Sequence, residues 1–275
     1  MKKSKNNPLK NTIKTAFALV LGIFVTFGFT GCDLGSNDST SIFEVRMHDF
    51  PADELDQFNV HVKSIEAQRD GGGWITIGEP NEVYNLLELV NGNNVILGEE
   101  HVESGRYTQV RLILGEENSV VRKDGESYNI SVPSGVQTGI KLLINAELQE
   151  GVRYVLNLDF DASRSLVKTG QSPNLDYILQ PVIRAYEEAL TGTIGGVVGP
   201  AEANARIDAI ANDDVKATTY ADDNGGFLLI GLEPGNYNVV VEATEGDYQS
   251  ETREAEVTLG ENTDLGTIDL SPIEE

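Results

Sequence analysis

Asp159 and Asp161 are the residues best placed to do chemistry in this 275-residue chain. They fall two apart in a run that alternates Leu156, Leu158 and Phe160 with Asn157, Asp159 and Asp161. On a strand, positions i and i+2 share a face, so the two carboxylates sit about 7 Å apart. They are the weak candidates for a metal: an oxygen-ligated Ca²⁺ ion between them is one reading. In the other, Asp161 caps a short turn beginning at Ala162, while Asp159 pairs with Arg111, Lys141 or Arg184. The histidines, His48, His61 and His101, are scattered and form neither H-x-H nor H-E-x-x-H. No G-x-S-x-G elbow and no phosphate-cradling glycine loop occurs. The expectation is therefore no catalytic residue, no cofactor and no enzyme. Trp74, the sole tryptophan, follows Gly71-Gly72-Gly73 and opens a strand. There it packs on the core or rim, or offers a flat platform to a sugar.

The elements that carry these residues have period two. Phe43, Val45 and Met47 alternate with Glu44, Arg46 and His48, and Phe58, Val60 and Val62 with Asn59, His61 and Lys63. Turn signals separate the runs: Asp70-Gly71-Gly72-Gly73, Asn91-Gly92, Lys123-Asp124-Gly125 and Pro133-Ser134-Gly135. Short helical turns are expected only near Leu86–Val90 and Ala162–Val167. A strand is expected over Tyr177–Tyr186, and a boundary near Glu187–Thr191, where a new glycine-punctuated pattern begins. The fold class is all-β, with two β-sandwich domains in tandem.

The chain opens differently. Lys2, Lys3, Lys5, Lys10 and Lys14 precede an apolar run from Ala16 to Phe29, and no acidic residue occurs before Asp33. That order suits a secretory signal, and the run is shorter than the roughly 20 residues of a membrane span. Phe29-Thr30-Gly31-Cys32 closes it and holds the only cysteine. These residues resemble the lipobox of bacterial lipoproteins, with Phe29 where leucine is usual. The resemblance implies cleavage before Cys32 and acylation of its thiol, so that Cys32 is the lipidation site and the lipid bilayer a partner. Removing residues 1–31 takes five lysines and no acids, leaving 15 basic against 44 acidic residues and a formal net charge of −29. Such a surface repels nucleic acid and anionic headgroups, so attachment must come from acyl chains. The expected organisation is a signal peptide over 1–31, a tether over 32–41, and sandwiches over 42–188 and 189–275.

Two further resemblances cover the sandwiches. Ala221-Asp222-Asp223-Asn224-Gly225-Gly226-Phe227 followed by Leu232-Glu233-Pro234-Gly235-Asn236-Tyr237 is similar to the carboxypeptidase regulatory-like domain. This implies a seven-stranded, transthyretin-like, non-catalytic sandwich over about 191–270. Fold collections group such domains with carbohydrate-binding-like folds. A plain turn is expected at Asp222–Asn224, since no bidentate Glu follows at calcium-loop spacing. Gly73-Trp74-Ile75, Gly105-Arg106-Tyr107, Val132-Pro133-Ser134-Gly135, Asp159-Phe160-Asp161-Ala162 and Pro181-Val182-Ile183-Arg184 resemble a family of bacterial lipoproteins containing a domain of unknown function. The resemblance spans about 42–186 and implies an extracytoplasmic β-sandwich without assigned activity. The function expected is a non-catalytic, membrane-anchored structural, adhesive or binding protein of the cell envelope, with a glycan or another envelope protein as partner. The alternative is a carbohydrate-binding module at the cell surface.

Overall fold

The computed structural model describes residues 39–50, 55–133, 138–171 and 174–273. Cys32, the signal segment and nearly all of the tether lie outside them. The described residues form one compact unit, almost entirely of strands.

The first sandwich closes around β1 (Thr40–Phe50) and β2 (Leu55–Arg69). β1 is central in a four-stranded sheet. It pairs in parallel with β10 (Arg153–Asp161) and antiparallel with β5 (Val95–Glu103); β13 (Ile183–Glu187) lies beyond β10. The larger sheet is built on β2, which pairs along its length with β3 (Trp74–Gly78), β4 (Glu82–Asn85), β6 (Gly105–Leu114) and β7 (Ser119–Arg122). It is completed by β8 (Ser127–Ser131), β9 (Ile140–Leu148), β11 (Leu166–Gln171) and β12 (Asn174–Leu179). The period-two residues Phe43, Val45, Met47, Phe58, Val60 and Val62 all face the core, fully buried. Burying each such side chain contributes about 1.5–3 kcal/mol, and alternation on both sheets directs those side chains to one interior.

Two details depart from the sequence expectation. The single strand expected over Tyr177–Tyr186 is two, β12 and β13, interrupted at Gln180-Pro181-Val182. Pro181 has no N–H to donate to a ladder, and the chain there crosses from one sheet to the other. The alternation through β10 does not separate a buried face from a wet one, because Asn157, Asp159 and Asp161 are buried too. Helix appears at both expected places, as a 3₁₀ turn at Leu86–Glu88 and as α1 (Ala162–Ser165), and also as 3₁₀ turns at Glu188–Leu190 and Ala201–Ala203.

The second sandwich has seven strands: β17 (Gly226–Leu232), β14 (Gly192–Gly199) and β20 (Asn262–Asp269) in one sheet, and β16 (Asp214–Tyr220), β15 (Arg206–Ala211), β18 (Gly235–Glu242) and β19 (Glu251–Val257) in the other. Phe227 and Tyr237 meet in its core with Ile194, Val239 and Ile268. Asp222 makes the plain turn the spacing suggests: its Oδ1 accepts the Asn224 and Gly226 amides at 2.8 and 2.9 Å. Gly225 takes φ +83°, and a Cβ there would stand 2.1 Å from the Val198 carbonyl oxygen.

Candidate functional site

One cluster of polar groups, with His48 and Asp159 buried at its centre, forms where the outer face of the β1–β10–β13 sheet meets β17. Parallel pairing sets His48 of β1 beside Asp159 of β10, and β13 brings Arg184 opposite Asp159. Asp159 is only 8% exposed. Its Oδ2 accepts from Nε and Nη2 of Arg184 at 3.2 and 3.0 Å, and its Oδ1 lies 3.4 Å from His48 Nδ1. The other imidazole nitrogen, Nε2, is 2.8 Å from the Tyr186 hydroxyl. One tautomer satisfies both contacts: Nδ1–H donates toward Asp159, and Nε2 accepts from the phenol. The Arg184 guanidinium lies over the Tyr186 ring, 4.8 Å from its centroid, and its Nη1 donates to the Gly231 carbonyl at 3.0 Å.

A second link runs parallel to this one. Asn91, in the turn before β5, donates to the Gly226 carbonyl at 3.2 Å and accepts the Leu228 amide at 2.5 Å. An amide side chain has the same donor and acceptor as a peptide group, so Asn91 stands in for a neighbouring strand along β17. Exposed strand edges invite unwanted pairing; side chains of the first sandwich cover this one. Gly231 fits the arrangement because it takes φ +69°, and a Cβ there would meet the Tyr186 ring at 2.4 Å.

Electrostatics hold the cluster in one protonation state. Burial pushes the His48 pKa below the ordinary value of 6.5, with Asp159 pulling it back and Arg184 adding to the depression. Burial, and then the Asp159 charge, push the Tyr186 phenol above its usual value. A neutral imidazole and a neutral phenol therefore flank an Asp–Arg ion pair. The unfolded chain takes up a proton on His48 as pH falls through 6.5, while the folded chain resists it. Stability is thus lost on acidification below about 6.5 and fully present above it. Replacing His48 by Gln, which keeps a donor and an acceptor, is expected to flatten the unfolding free energy between pH 7 and pH 5 relative to the unchanged chain. Parallel curves from urea titrations at each pH would remove His48 from the account.

This group does not form a catalytic triad. Acyl transfer needs a hydroxyl or thiol nucleophile on the imidazole nitrogen turned away from the carboxylate. Here that nitrogen faces a half-buried phenol whose proton is held more tightly than usual.

The other singled-out residues lie elsewhere. Asp161 caps α1: its Oδ1 accepts the Arg164 amide at 2.9 Å and the Ser163 hydroxyl at 2.7 Å, and its Oδ2 accepts Arg164 Nε at 2.6 Å. Asp159 and Asp161 thus each face an arginine, the second of the two sequence readings. Among the described residues, no three His, Cys, Asp or Glu side chains gather where they could hold a metal ion. Trp74 is half-buried, with Arg111 stacked 4.3 Å from its ring centroid and Lys141 at 6.0 Å; Arg111 in turn binds Glu66. His61 is partly exposed on β2, beside Asn81, and His101 is exposed on β5. The sequence reading missed His48, Tyr186 and Asn91 as partners in one cluster. Only the Arg184–Asp159 pairing had a signal in it.

The model of one family, described as Domain of unknown function (DUF4382), matches residues 40–181. No curated protein matches the chain. Among solved structures, the Bacillus anthracis TIE protein is 13% identical over 86% of this chain, with a TM-score of 0.26. This chain spans about a third of its length, 34%. The minor pilin GBS52 of Streptococcus agalactiae is 11% identical over 85% of this chain and 97% of its own, at a TM-score of 0.25. BcpA, the major pilin subunit of Bacillus cereus, is 10% identical over 85% of this chain and all of its own, also at 0.25.

Proposed function

Since this chain belongs to the family described as Domain of unknown function (DUF4382), which brings no activity with it, we propose its role from the junction itself. It is a non-catalytic, lipid-anchored protein of the cell envelope, with a structural or adhesive task. The observation that carries this reading is the internal use of the polar groups. His48, Asp159, Arg184 and Tyr186 satisfy one another, and Arg184 binds the second sandwich. A chain that devotes its buried charged cluster to joining two sandwiches holds them as one stiff body.

The anchor completes the proposal. Cys32 receives the acyl chains, residues 1–31 are the signal, the tether ends where β1 begins at Thr40 rather than at 41, and the sandwiches run from there to 188 and over 189–275. The second sandwich follows the carboxypeptidase regulatory-like pattern. Stable attachment takes two lipid chains or more, since one gives only marginal binding. With a surface this acidic, no basic patch adds to it. Cys32→Ser is expected to abolish incorporation of labelled fatty acid and to move the protein from the detergent phase to the aqueous phase. Persistent labelling of that variant would show the lipid to be elsewhere.

A further inference from the structure

Beside the junction, where the β1–β10–β13 sheet diverges from the second sandwich, lies a cleft of about 580 Å³. We propose that this cleft binds a neutral oligosaccharide. The inference rests on the non-catalytic reading above and gives it a ligand class.

Its size falls within the range of about 300–1,000 Å³ typical of small-molecule sites, which favour such interfaces between domains. Val155 of β10 and the half-exposed Leu228 and Ile230 of β17 give it an apolar floor. Asn94, Thr193 and Asn262 give it a polar rim, and the largely buried Asn157 lies in its wall. Their existing bonds leave complementary groups over. Asn157 donates to Glu188 at 3.3 Å and Asn94 to the Gly92 carbonyl at 3.3 Å, so both keep an amide oxygen to accept with. Asn262 accepts from Thr193 at 2.8 Å and keeps its amide N–H groups to donate. A sugar hydroxyl both donates and accepts, which is what mixed amide oxygens and N–H groups suit. The C–H face of a pyranose matches the floor.

Charge excludes the nearest alternatives. Glu187, Glu188 and Glu261 line the cleft against one cation, Arg153, which already pairs with Glu44 and Glu99. An acidic glycan or a nucleotide would meet net negative charge. A wholly apolar ligand would strip water from the amides without replacing their hydrogen bonds.

The test is titration calorimetry of the full chain in detergent against neutral oligosaccharides of glucose, xylose, mannose and N-acetylglucosamine. An oligogalacturonate and an extended neutral peptide serve as comparisons. At least one neutral sugar is expected to bind. Ile230→Trp, which fills the floor, and Asn94→Ala, in the exposed turn, should each weaken it by about tenfold or more. Asn94 lies outside both cores, so its variant keeps the test valid if the tryptophan disturbs folding. Binding of the acidic sugar or the peptide alone, no binding by any sugar, or affinity unchanged in both variants would overturn the proposal. Acyl labelling through Cys32 reads a different property, so failure here leaves the anchor proposal standing, and the converse also holds.

Discussion

Gly98→Ala is expected to lower the unfolding free energy by about 3 kcal/mol, at the upper end of the cost of overpacking. The two sheets of the first sandwich touch backbone to backbone where β3 meets β5. A Cβ on Gly98 would stand 2.4 Å from the Ile77 carbonyl oxygen and 2.6 Å from the Gly78 Cα. A Cβ on Gly78 would stand 2.3 Å from the Leu97 carbonyl oxygen. A flexible side chain can swing away from an added methyl, but a peptide carbonyl held in a sheet cannot. The strands must part, and Ile77 and Leu97, both buried in the core, lose packing with them. Gly73 is the control, since a Cβ there meets nothing within 4 Å, and Gly73→Ala should stay within about 0.5 kcal/mol. Urea titration decides it. Equal midpoints for Gly98→Ala and Gly73→Ala would refute the close approach.

The second large effect concerns Arg184. Arg184→Met keeps most of the aliphatic stem and removes the guanidinium, leaving Asp159 buried beside a neutral imidazole and the Gly231 carbonyl without its donor. Breaking a buried pair from one side costs about 3–5 kcal/mol. The Arg184 side chain is 39% exposed, so water softens the loss, and we expect about 2–3 kcal/mol. The partner should rescue it. Asp159→Asn removes the stranded charge, so the double variant should be more stable than the two single costs added together. Strict additivity in the four-variant cycle would mean that the two side chains do not interact. Because the same guanidinium reaches Gly231, the loss should also loosen the second sandwich. Hydrogen exchange at the amides of β17 would rise more than exchange in β18, which lies in the other sheet.

Much of the fold is legible in the residues themselves. Alternation at Phe43, Val45 and Met47 and at Phe58, Val60 and Val62 requires strands with one apolar face, because side chains on a strand point to opposite sides in turn. Asn224-Gly225 and Pro234-Gly235 place turns for the same local reason: only certain residues tolerate the backbone angles there. Asp161 followed by Ala162 reads as a cap because a carboxylate three residues before an amide can accept from it. Each of these depends on neighbours within a few positions, so the sequence carries them alone. The two-residue spacing of Asp159 and Asp161 likewise shows that they share a strand face. It cannot show that the face is buried. For Asp159 that follows from a second sandwich laid against it, which brings β17 to a residue about 70 positions earlier in the chain, whereas Asp161 is covered by the turn it caps. The parallel pairing of β1 with β10 sets His48 beside Asp159 across 111 residues, and no local pattern encodes that register. The close approach of Gly78 and Gly98 has the same origin. A glycine inside a strand looks like a weak point until the fold places another backbone where its side chain would have been.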